Sequence, residues 1–472
     1  MSHQDHGCHS ASTANHQALK DALDWLLGGV ALSGMSFRQD ATWSPLGLIV
    51  TALLWAWSDE KTLKERFGTA RKIAHRAWRW VKKPATSYQA FMKMLRKWTT
   101  PLLSALAGVF RERMRRELRL RFAIAGYAIF GVDGSRLELP RTRSNEQRFS
   151  PRSSRAKRKA KEKLQRRKSK RQRAVCSREK KANSPQMWLT TLWHVGTGLP
   201  WDWRIGASDS SERDHLRQMI DVLPPGALVT ADAGFVGYEY WRALLDSRRQ
   251  LLIRVGANVR LLKNLGYARE RQGLLYLWPD KAAAKNQPPL VLRLVIVHTG
   301  RHPMYLVTSI LHTKELSDAQ VAKIYGLRWG IELFYRNFKQ TFERRKLRSH
   351  SPDNAEVEAT WSLLGLWAMC LHAEYALARQ QVPARRMSVA GVLRAYRKPM
   401  REYKSRPDPG EDLYSLLHVA VIDEYERASK ASRDYPRKKQ EQATGAPRIL
   451  RATRYQIRKA REIRQLELGL TA

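Results

Sequence analysis

Residues 187–255 constrain the fold more than any other stretch, because their hydrophobic pattern alternates between strand and helix. The predicted elements, in order, are two strands within 187–205 around a turn at 196–198, a helix at 211–223, a strand at 227–231, a helix at 238–247 and a strand at 251–255. This alternation is typical of an α/β protein with a mostly open sheet. Polar residues just beyond the strand ends of such a sheet gather at one rim, where binding sites occur.

Two aspartates follow apolar, strand-like segments. Asp133 comes directly after 122–132, Asp232 comes directly after 227–231, and each has a glycine within two residues. The pair Asp133-Gly134 on its own is also a good hairpin turn. The functional interpretation is a carboxylate at the end of a buried central strand, directed into a cleft.

The segment 324–340 predicts a helix with a polar stripe. At 100° per residue, Tyr325, Arg328, Glu332 and Lys339 lie at about 0°, 300°, 340° and 320°. A helix that faces the core would carry aliphatic side chains at these positions. A surface ion pair between Arg328 and Glu332 is the alternative interpretation.

The charge balance favours a polyanionic partner. Lysine and arginine number 86 against 43 aspartates and glutamates, so the formal net charge is +43. Such an excess repels itself unless it is neutralised, which makes nucleic acid the leading partner. A membrane partner is not expected, because the apolar run 46–57 is too short to cross a bilayer and the N-terminus has no signal-peptide pattern. The expected location is the cytoplasm, in association with the nucleoid.

Three carboxylates, Asp133, Asp232 and Glu332, would form a metal site if the fold brought them together. Hard oxygen ligands suit Mg²⁺ or Mn²⁺ and leave room for water and substrate phosphate. Two such ions would support the displacement of one phosphate oxygen by another. Arg328 and Lys339 would then hold the flanking phosphates.

These residues resemble a known family. The segment YGLRWGIELFYRNFK has the spacing Tyr, two residues, Arg, three residues, Glu, six residues, Lys, and resembles the signature of the DDE transposases of insertion-sequence family four. VDGSRLELP and TADAGF resemble the segments that carry the first and second catalytic aspartates of that family. The resemblance covers residues 126–345. It implies an RNase H-like catalytic domain, a mixed α/β sheet with flanking helices, and a β-rich insertion between Asp232 and Glu332.

The resemblance also implies roles for individual residues. Asp133, Asp232 and Glu332 would be the catalytic metal ligands for two Mg²⁺ or Mn²⁺ ions. The DNA contacts would come from the cationic and aromatic side chains of the same helix, namely Tyr325, Arg328, Arg336 and Lys339. Some relatives stack a flipped base on a tryptophan at the position of Met304 here, so Tyr305 or Trp278 would have to replace it.

The predicted organisation has six parts. They are a disordered tail at 1–16, a helical DNA-binding domain at 17–118, the first catalytic segment at 119–255 with a basic insertion at 150–183, the β-rich insertion at 256–312, the second catalytic segment at 313–380, and a basic helical extension at 381–472. The expected partners are the terminal inverted repeats and the target DNA, bound by a homodimer. The expected activity is cut-and-paste transposition.

Two other functions fit the sequence. An RNase H-like nuclease or resolvase would cut DNA without joining strands. A non-catalytic basic DNA-binding protein would have no use for the three carboxylates and no requirement for divalent ions.

Overall fold

A computed structural model describes residues 6–32, 35, 37, 42–78, 86–151, 185–298, 302–402, 412–422 and 445–469. The basic run predicted at 150–183 lies outside these residues except at its first two positions. Among the described helices, none is long and apolar enough to cross a membrane.

One ten-stranded mixed sheet organises the described residues. Its strands are β1 (Ile129–Glu138), β2 (Gln186–His194), β3 (Leu199–Ala207), β4 (Leu228–Ala231), β5 (Gln250–Val255), β6 (Arg260–Lys263), β7 (Leu274–Leu277), β8 (Leu290–Val297), β9 (Met304–Thr308) and β10 (Arg448–Arg451). Their spatial order is β10-β6-β7-β8-β9-β5-β4-β1-β2-β3. β4 is parallel to both β1 and β5, whereas β1, β2 and β3 are antiparallel to one another in turn.

Helices flank this sheet. They are α1 (His6–Leu27), α2 (Pro45–Trp57), α3 (Leu63–Ala77), α4 (Tyr88–Glu117), α5 (Arg119–Phe122), α6 (Arg143–Phe149), α7 (Glu212–Arg217), α8 (Tyr238–Asp246), α9 (Asp280–Ala284), α10 (Asp318–Leu327), α11 (Gly330–Arg336), α12 (Pro352–Arg379), α13 (Val389–Glu402), α14 (Leu413–His418) and α15 (Arg454–Glu467). A π-helical turn, Asn337–Thr341, follows α11.

The helix α12 joins the N-terminal helices to the rest of the molecule. Its apolar sequence predicts a buried helix, and most of its side chains are buried. The Trp57 indole donates to the carbonyl of Gly365 at 2.8 Å, and the Trp361 indole donates to the Thr99 hydroxyl at 2.9 Å. The aromatic side chains of α2 to α4 therefore contribute largely to a core shared with α12.

Several sequence predictions for the sheet are confirmed. The two strands around the turn at 196–198 are β2 and β3, and the strands before Asp232 and at 251–255 are β4 and β5. The strand-like segments between Asp232 and Glu332 are also strands. They extend the central sheet, because β9 pairs with β5 along residues 252–255.

One local prediction is wrong. Asp133 does not end its strand, because β1 continues to Glu138 and Asp133 pairs with Thr191 of β2. The segment 324–340 is helical as predicted but not a regular α-helix, because Arg328 and Trp329 keep helical dihedral angles while accepting hydrogen bonds from residues three positions on, and a π-helical turn follows. In the N-terminal region, α1 begins at His6, inside the stretch predicted as a tail. The domain boundaries remain predictions.

Acid should weaken the fold through His372. This side chain is 5% exposed, and its Nδ1 lies 2.8 Å from the Tyr396 hydroxyl. Burial lowers the pKa of His372 to about 4 from 6.5. The unfolded chain therefore gains a proton below pH 6.5 that the folded chain does not, and stability is lost as the pH falls. We expect His372→Gln to remove about 2 kcal/mol of the stability difference between pH 7 and pH 5, measured by urea denaturation.

The control is His298→Gln, which changes an exposed histidine just after the end of β8. It should show the same pH dependence as the unmodified protein. An unchanged pH dependence in His372→Gln would contradict the assignment.

Candidate active site

The two predicted catalytic aspartates come from neighbouring strands. Asp133 lies in the middle of β1, and Asp232 directly follows β4, which is parallel to β1. The Asp232 side chain caps a short 3₁₀ turn, Ala233–Phe235, because its Oδ1 accepts from the Gly234 amide at 2.9 Å. The first half of the site is therefore fixed by the order of the sheet.

The helix α11 lies against the same part of β1. The Tyr335 hydroxyl donates to the backbone carbonyl of Asp133 at 2.7 Å. Further along, the Lys339 ammonium donates to the Ser135 hydroxyl at 2.6 Å. Lys339 belongs to the π-helical turn, a feature frequent at functional sites. These contacts hold the helix that carries Glu332 beside the strand that carries Asp133.

Gly330 allows this close approach. A Cβ atom at residue 330 would lie 2.1 Å from the Cη2 atom of Trp193 on β2. The tighter helical turn at Arg328 and Trp329 immediately precedes this contact. The departure from regular α-helix thus coincides with the point where the helix backbone meets a buried indole ring.

The pKa of Asp133 responds to the charges of the other two predicted catalytic carboxylates. Burial raises the pKa of Asp133 to about 6, and the charges of Asp232 and Glu332 act in the same direction. The Arg328 guanidinium and the Gly134 amide oppose this rise in the pKa. The fold therefore places mutually repelling carboxylates close enough to affect one another.

Arg328 and Tyr325 place buried polar atoms beside this group. Arg328 is 9% exposed and lies 3.8 Å from the Glu332 carboxylate. Its Nε atom and the Tyr325 hydroxyl are both buried without a hydrogen-bond partner among the described residues. Burial raises the pKa of Tyr325, and the nearby Asp232 charge adds to that effect. Arg336, the fourth predicted DNA contact, is exposed.

One acidic residue near the site was not predicted from the sequence. Glu212 begins α7, and the sequence pattern assigned it only to the start of a helix. Burial raises the pKa of Glu212 to about 7, with further contributions from the charges of Asp133 and Asp232. Glu212 follows the capping residue Ser211, and an acidic residue is common at that position of any helix, so the sequence does not indicate that it lies near the aspartates.

A basic pocket of about 670 Å³ opens beside Lys339. Its lining includes four further side chains that are cationic or can become so, namely Arg345, Lys346, Arg348 and His350. The backbone of this segment pairs with the end of β1, since the Glu138 amide donates to the Arg345 carbonyl at 2.9 Å. The strand that carries Asp133 thus also orders a cluster of cations.

The candidates for base stacking differ in accessibility. Trp278 is 4% exposed, and its indole donates to the Gln287 carbonyl at 2.8 Å, so it is not free to stack on a base. Tyr305 and Met304 are partly buried on β9. Trp329, which the sequence pattern did not single out for this role, is 57% exposed three residues before Glu332.

The donor set of the site suits a hard divalent cation. Among the described residues, no three His, Cys, Asp or Glu side chains are arranged to hold an ion by themselves. Proteins usually bind Mg²⁺ through one or two carboxylates, with water and substrate phosphates as the other ligands. Oxygen donors beside the buried Asp133 fit that mode of binding.

The family assignment agrees with this arrangement. The model of the family described as "Transposase DDE domain" matches residues 124–368, more than half of the chain, and this range contains all seven predicted site residues. The chain belongs to this family.

Two individual proteins are similar to the chain. The transposase InsG for insertion sequence element IS4 of Escherichia coli (strain K12) is 28% identical over 187 residues, which cover 38% of this chain and 40% of InsG. The chain thus matches less than half the length of this relative. A cryo-EM structure of the piggyBac transposase synaptic complex with hairpin DNA aligns with 92% of this chain and 89% of its own, at 11% identity. Its TM-score of 0.39 is too low to support a structural argument.

Gly330 provides a test of the contact between α11 and β2. We expect Gly330→Ala to lower the free energy of unfolding by about 1–3 kcal/mol, because the new methyl group overpacks against Trp193. Chemical denaturation measures the change.

Gly326→Ala is the matched control. A Cβ atom at residue 326, in α10, meets nothing within 4 Å. Alanine there should leave stability unchanged or raise it by up to about 1 kcal/mol, because it reduces the entropy of the unfolded chain. Equal effects of the two changes would contradict the packing described for Gly330.

Proposed function

We propose that this protein is a DNA transposase that moves an insertion sequence by cut-and-paste transposition. The observation that carries the proposal is that Asp232 and Glu332 lie close enough to the buried Asp133 for their charges to raise its pKa, within a region that belongs to the Transposase DDE domain family. Both end cleavage and strand transfer are phosphoryl transfers, so one site can serve both steps.

The three carboxylates would hold two divalent cations, Mg²⁺ or Mn²⁺. When bound, such ions polarise the phosphate and lower the pKa of the attacking hydroxyl or water. Asp133 would offer its oxygen ligands from a rigid central strand, and Glu332 would offer its own from a helix fixed to that strand by Tyr335. This rigidity keeps the ligands in place between the two steps.

The cations around the carboxylates would hold the DNA backbone. The Arg328 guanidinium and the Tyr325 hydroxyl have buried donor atoms that a phosphate oxygen would satisfy. Lys339 and Arg336, together with the basic pocket, would extend this contact along the strand. These contacts would position the scissile phosphate without reading its sequence.

Recognition of the terminal inverted repeats would fall to the helices of residues 17–118. This proposal rests on their basic surface, because many of their aromatic side chains are used in the core. Target DNA would be the second nucleic-acid partner, and a homodimer would pair two element ends. Association with the nucleoid would follow from binding DNA.

The three carboxylates can be tested separately. We expect Asp133→Asn, Asp232→Asn and Glu332→Gln each to reduce cleavage of the element's ends by at least about 100-fold, because each removes an anionic metal ligand. The assay uses plasmid DNA that carries the element's ends, with Mg²⁺ or Mn²⁺, and follows both cleavage and joining.

Glu239→Gln, on α8, is the control and should retain full activity. A protein that cuts but never joins would be a nuclease or resolvase. Undiminished cleavage by the three variants would contradict the proposal and favour a different site.

The basic pocket predicts a salt-dependent contact. We expect the double variant Arg345→Ala with Lys346→Ala to reduce the slope of log affinity against log salt concentration by about 2 for duplex DNA, because two phosphate contacts are lost. Fluorescence anisotropy over a salt series measures this slope.

The control is Lys281→Ala with Lys285→Ala, which removes the same charge at α9, outside the pocket. If both double variants had the same slope of log affinity against log salt concentration, DNA binding would depend on the total charge of the protein and not on the pocket.

A further inference from the structure

The Glu212 carboxylate is the part of this site that the family signature does not explain. It projects from the first residue of α7, between the strand that carries Asp133 and the turn that carries Asp232. Any role of Glu212 in binding a cation rests on the proposed function, because this carboxylate borders the cation site of that function.

Two contacts fix α7 in place. The His215 Nδ1 atom lies 2.8 Å from the buried hydroxyl of Thr190, the residue on β2 that pairs with Gly134. On the other side, the Arg213 Nε atom donates to the Gly234 carbonyl at 2.9 Å, in the turn that follows Asp232. The helix is therefore attached to the surroundings of both aspartates.

Gly134 shows how closely Glu212 approaches β1. A Cβ atom at residue 134 would lie 2.0 Å from Oε1 of Glu212 and 2.8 Å from the indole nitrogen of Trp188. The absence of a side chain at Gly134 therefore leaves room for the Glu212 carboxylate. This explains why a glycine occupies the interior of a regular strand, where it weakens the strand.

No cation among the described residues forms an ion pair with Glu212, although the charges of Arg213 and Arg136 act to lower its pKa. Arg213 is engaged with the Gly234 carbonyl, and the Arg136 guanidinium lies 4.9 Å from the centre of the Trp188 ring. No ion pair or hydrogen bond joins the Glu212 carboxylate to another described side chain. The charges of Asp133 and Asp232 raise its pKa. A partly buried carboxylate beside two other acids is costly unless a cation binds there.

An independent observation indicates that this region binds a ligand. The Tyr325 side chain is 7% exposed, and its hydroxyl is buried without a hydrogen-bond partner among the described residues. The Arg328 guanidinium and the Asp232 carboxylate both lie close enough to affect its pKa, in opposite directions. Native proteins rarely leave such a group unpaired, so a ligand with oxygen atoms bound beside Asp232, such as a hydrated cation or a phosphate, would give this hydroxyl a partner.

We infer that Glu212 is a fourth carboxylate of the site and helps to bind a divalent cation, Mg²⁺ or Mn²⁺, beside Asp133 and Asp232, with water molecules as further ligands. A hard cation suits this oxygen donor set. The cation would relieve the repulsion among the three carboxylates. Glu212 would thereby help to retain the ion when the nucleic acid leaves.

Binding of Mn²⁺ alone tests the inference without relying on activity. We expect Glu212→Gln to weaken Mn²⁺ binding by about 10-fold or more, measured by the electron paramagnetic resonance signal of free Mn²⁺ in titrations of the full chain. Asp214→Asn makes the same kind of change at an exposed position of the same helix and should bind Mn²⁺ like the unmodified protein. Circular dichroism checks that each variant is folded.

The outcomes separate the inference from the proposed function. If Asp133→Asn loses Mn²⁺ while Glu212→Gln binds it normally, the inference about Glu212 is wrong and the proposed metal site survives. If neither change affects Mn²⁺ binding, both are wrong. If Asp214→Asn weakens binding as much as Glu212→Gln, the effect is one of general charge and the inference is also overturned.

A change of metal preference provides a second readout. A thiolate at position 212 would favour a soft metal over a hard one. We expect Glu212→Cys to bind Cd²⁺ at least about 10-fold more tightly than Asp214→Cys does, detected by thiolate-to-cadmium absorbance. Adding Asp133→Asn to Glu212→Cys should remove most of this gain, and equal Cd²⁺ affinity in the two cysteine variants would overturn the inference.

Discussion

The pairing of β1 with β2 on one side and β4 on the other is the constraint on which the site depends. It places Asp133 in the interior of a sheet, where its backbone pairs with Thr191 of β2, two residues beyond the stretch of β1 that pairs with β4. The same strand receives the Tyr335 hydroxyl, the Lys339 ammonium and the backbone of residues 345–347. Every element of the proposed site is therefore positioned relative to a single strand.

Two glycines make this arrangement possible for different reasons. Gly330 lets a helix backbone lie against the Trp193 ring, and Gly134 leaves room for the Glu212 carboxylate and the Trp188 indole. Both are close approaches in which a methyl group would collide. Neither position has a backbone conformation that requires glycine, so packing explains these residues better than turn formation does.

Two carboxylates of the proposed site lie where burial disfavours their charged forms. Burial raises the pKa of Asp133 to about 6 and that of Glu212 to about 7, which shows that their charged forms are disfavoured where they stand. A structural core would place apolar or paired residues there. A bound cation would stabilise the charged forms of these groups, and perturbed carboxylates of this kind are typical of functional sites.

The sequence by itself determined the α/β alternation, the family resemblance and the predicted carboxylates, because periodicity and motif spacing are local properties. It predicted the strands before Asp232 and at 251–255 correctly. Only the tertiary structure decided that β1 continues through Asp133-Gly134, since the strand pairing and the Glu212 contact come from residues far along the chain. The irregular helical turn at Arg328 and the proximity of Glu212 likewise depend on packing against β2 and β1, and no sequence spacing encodes them.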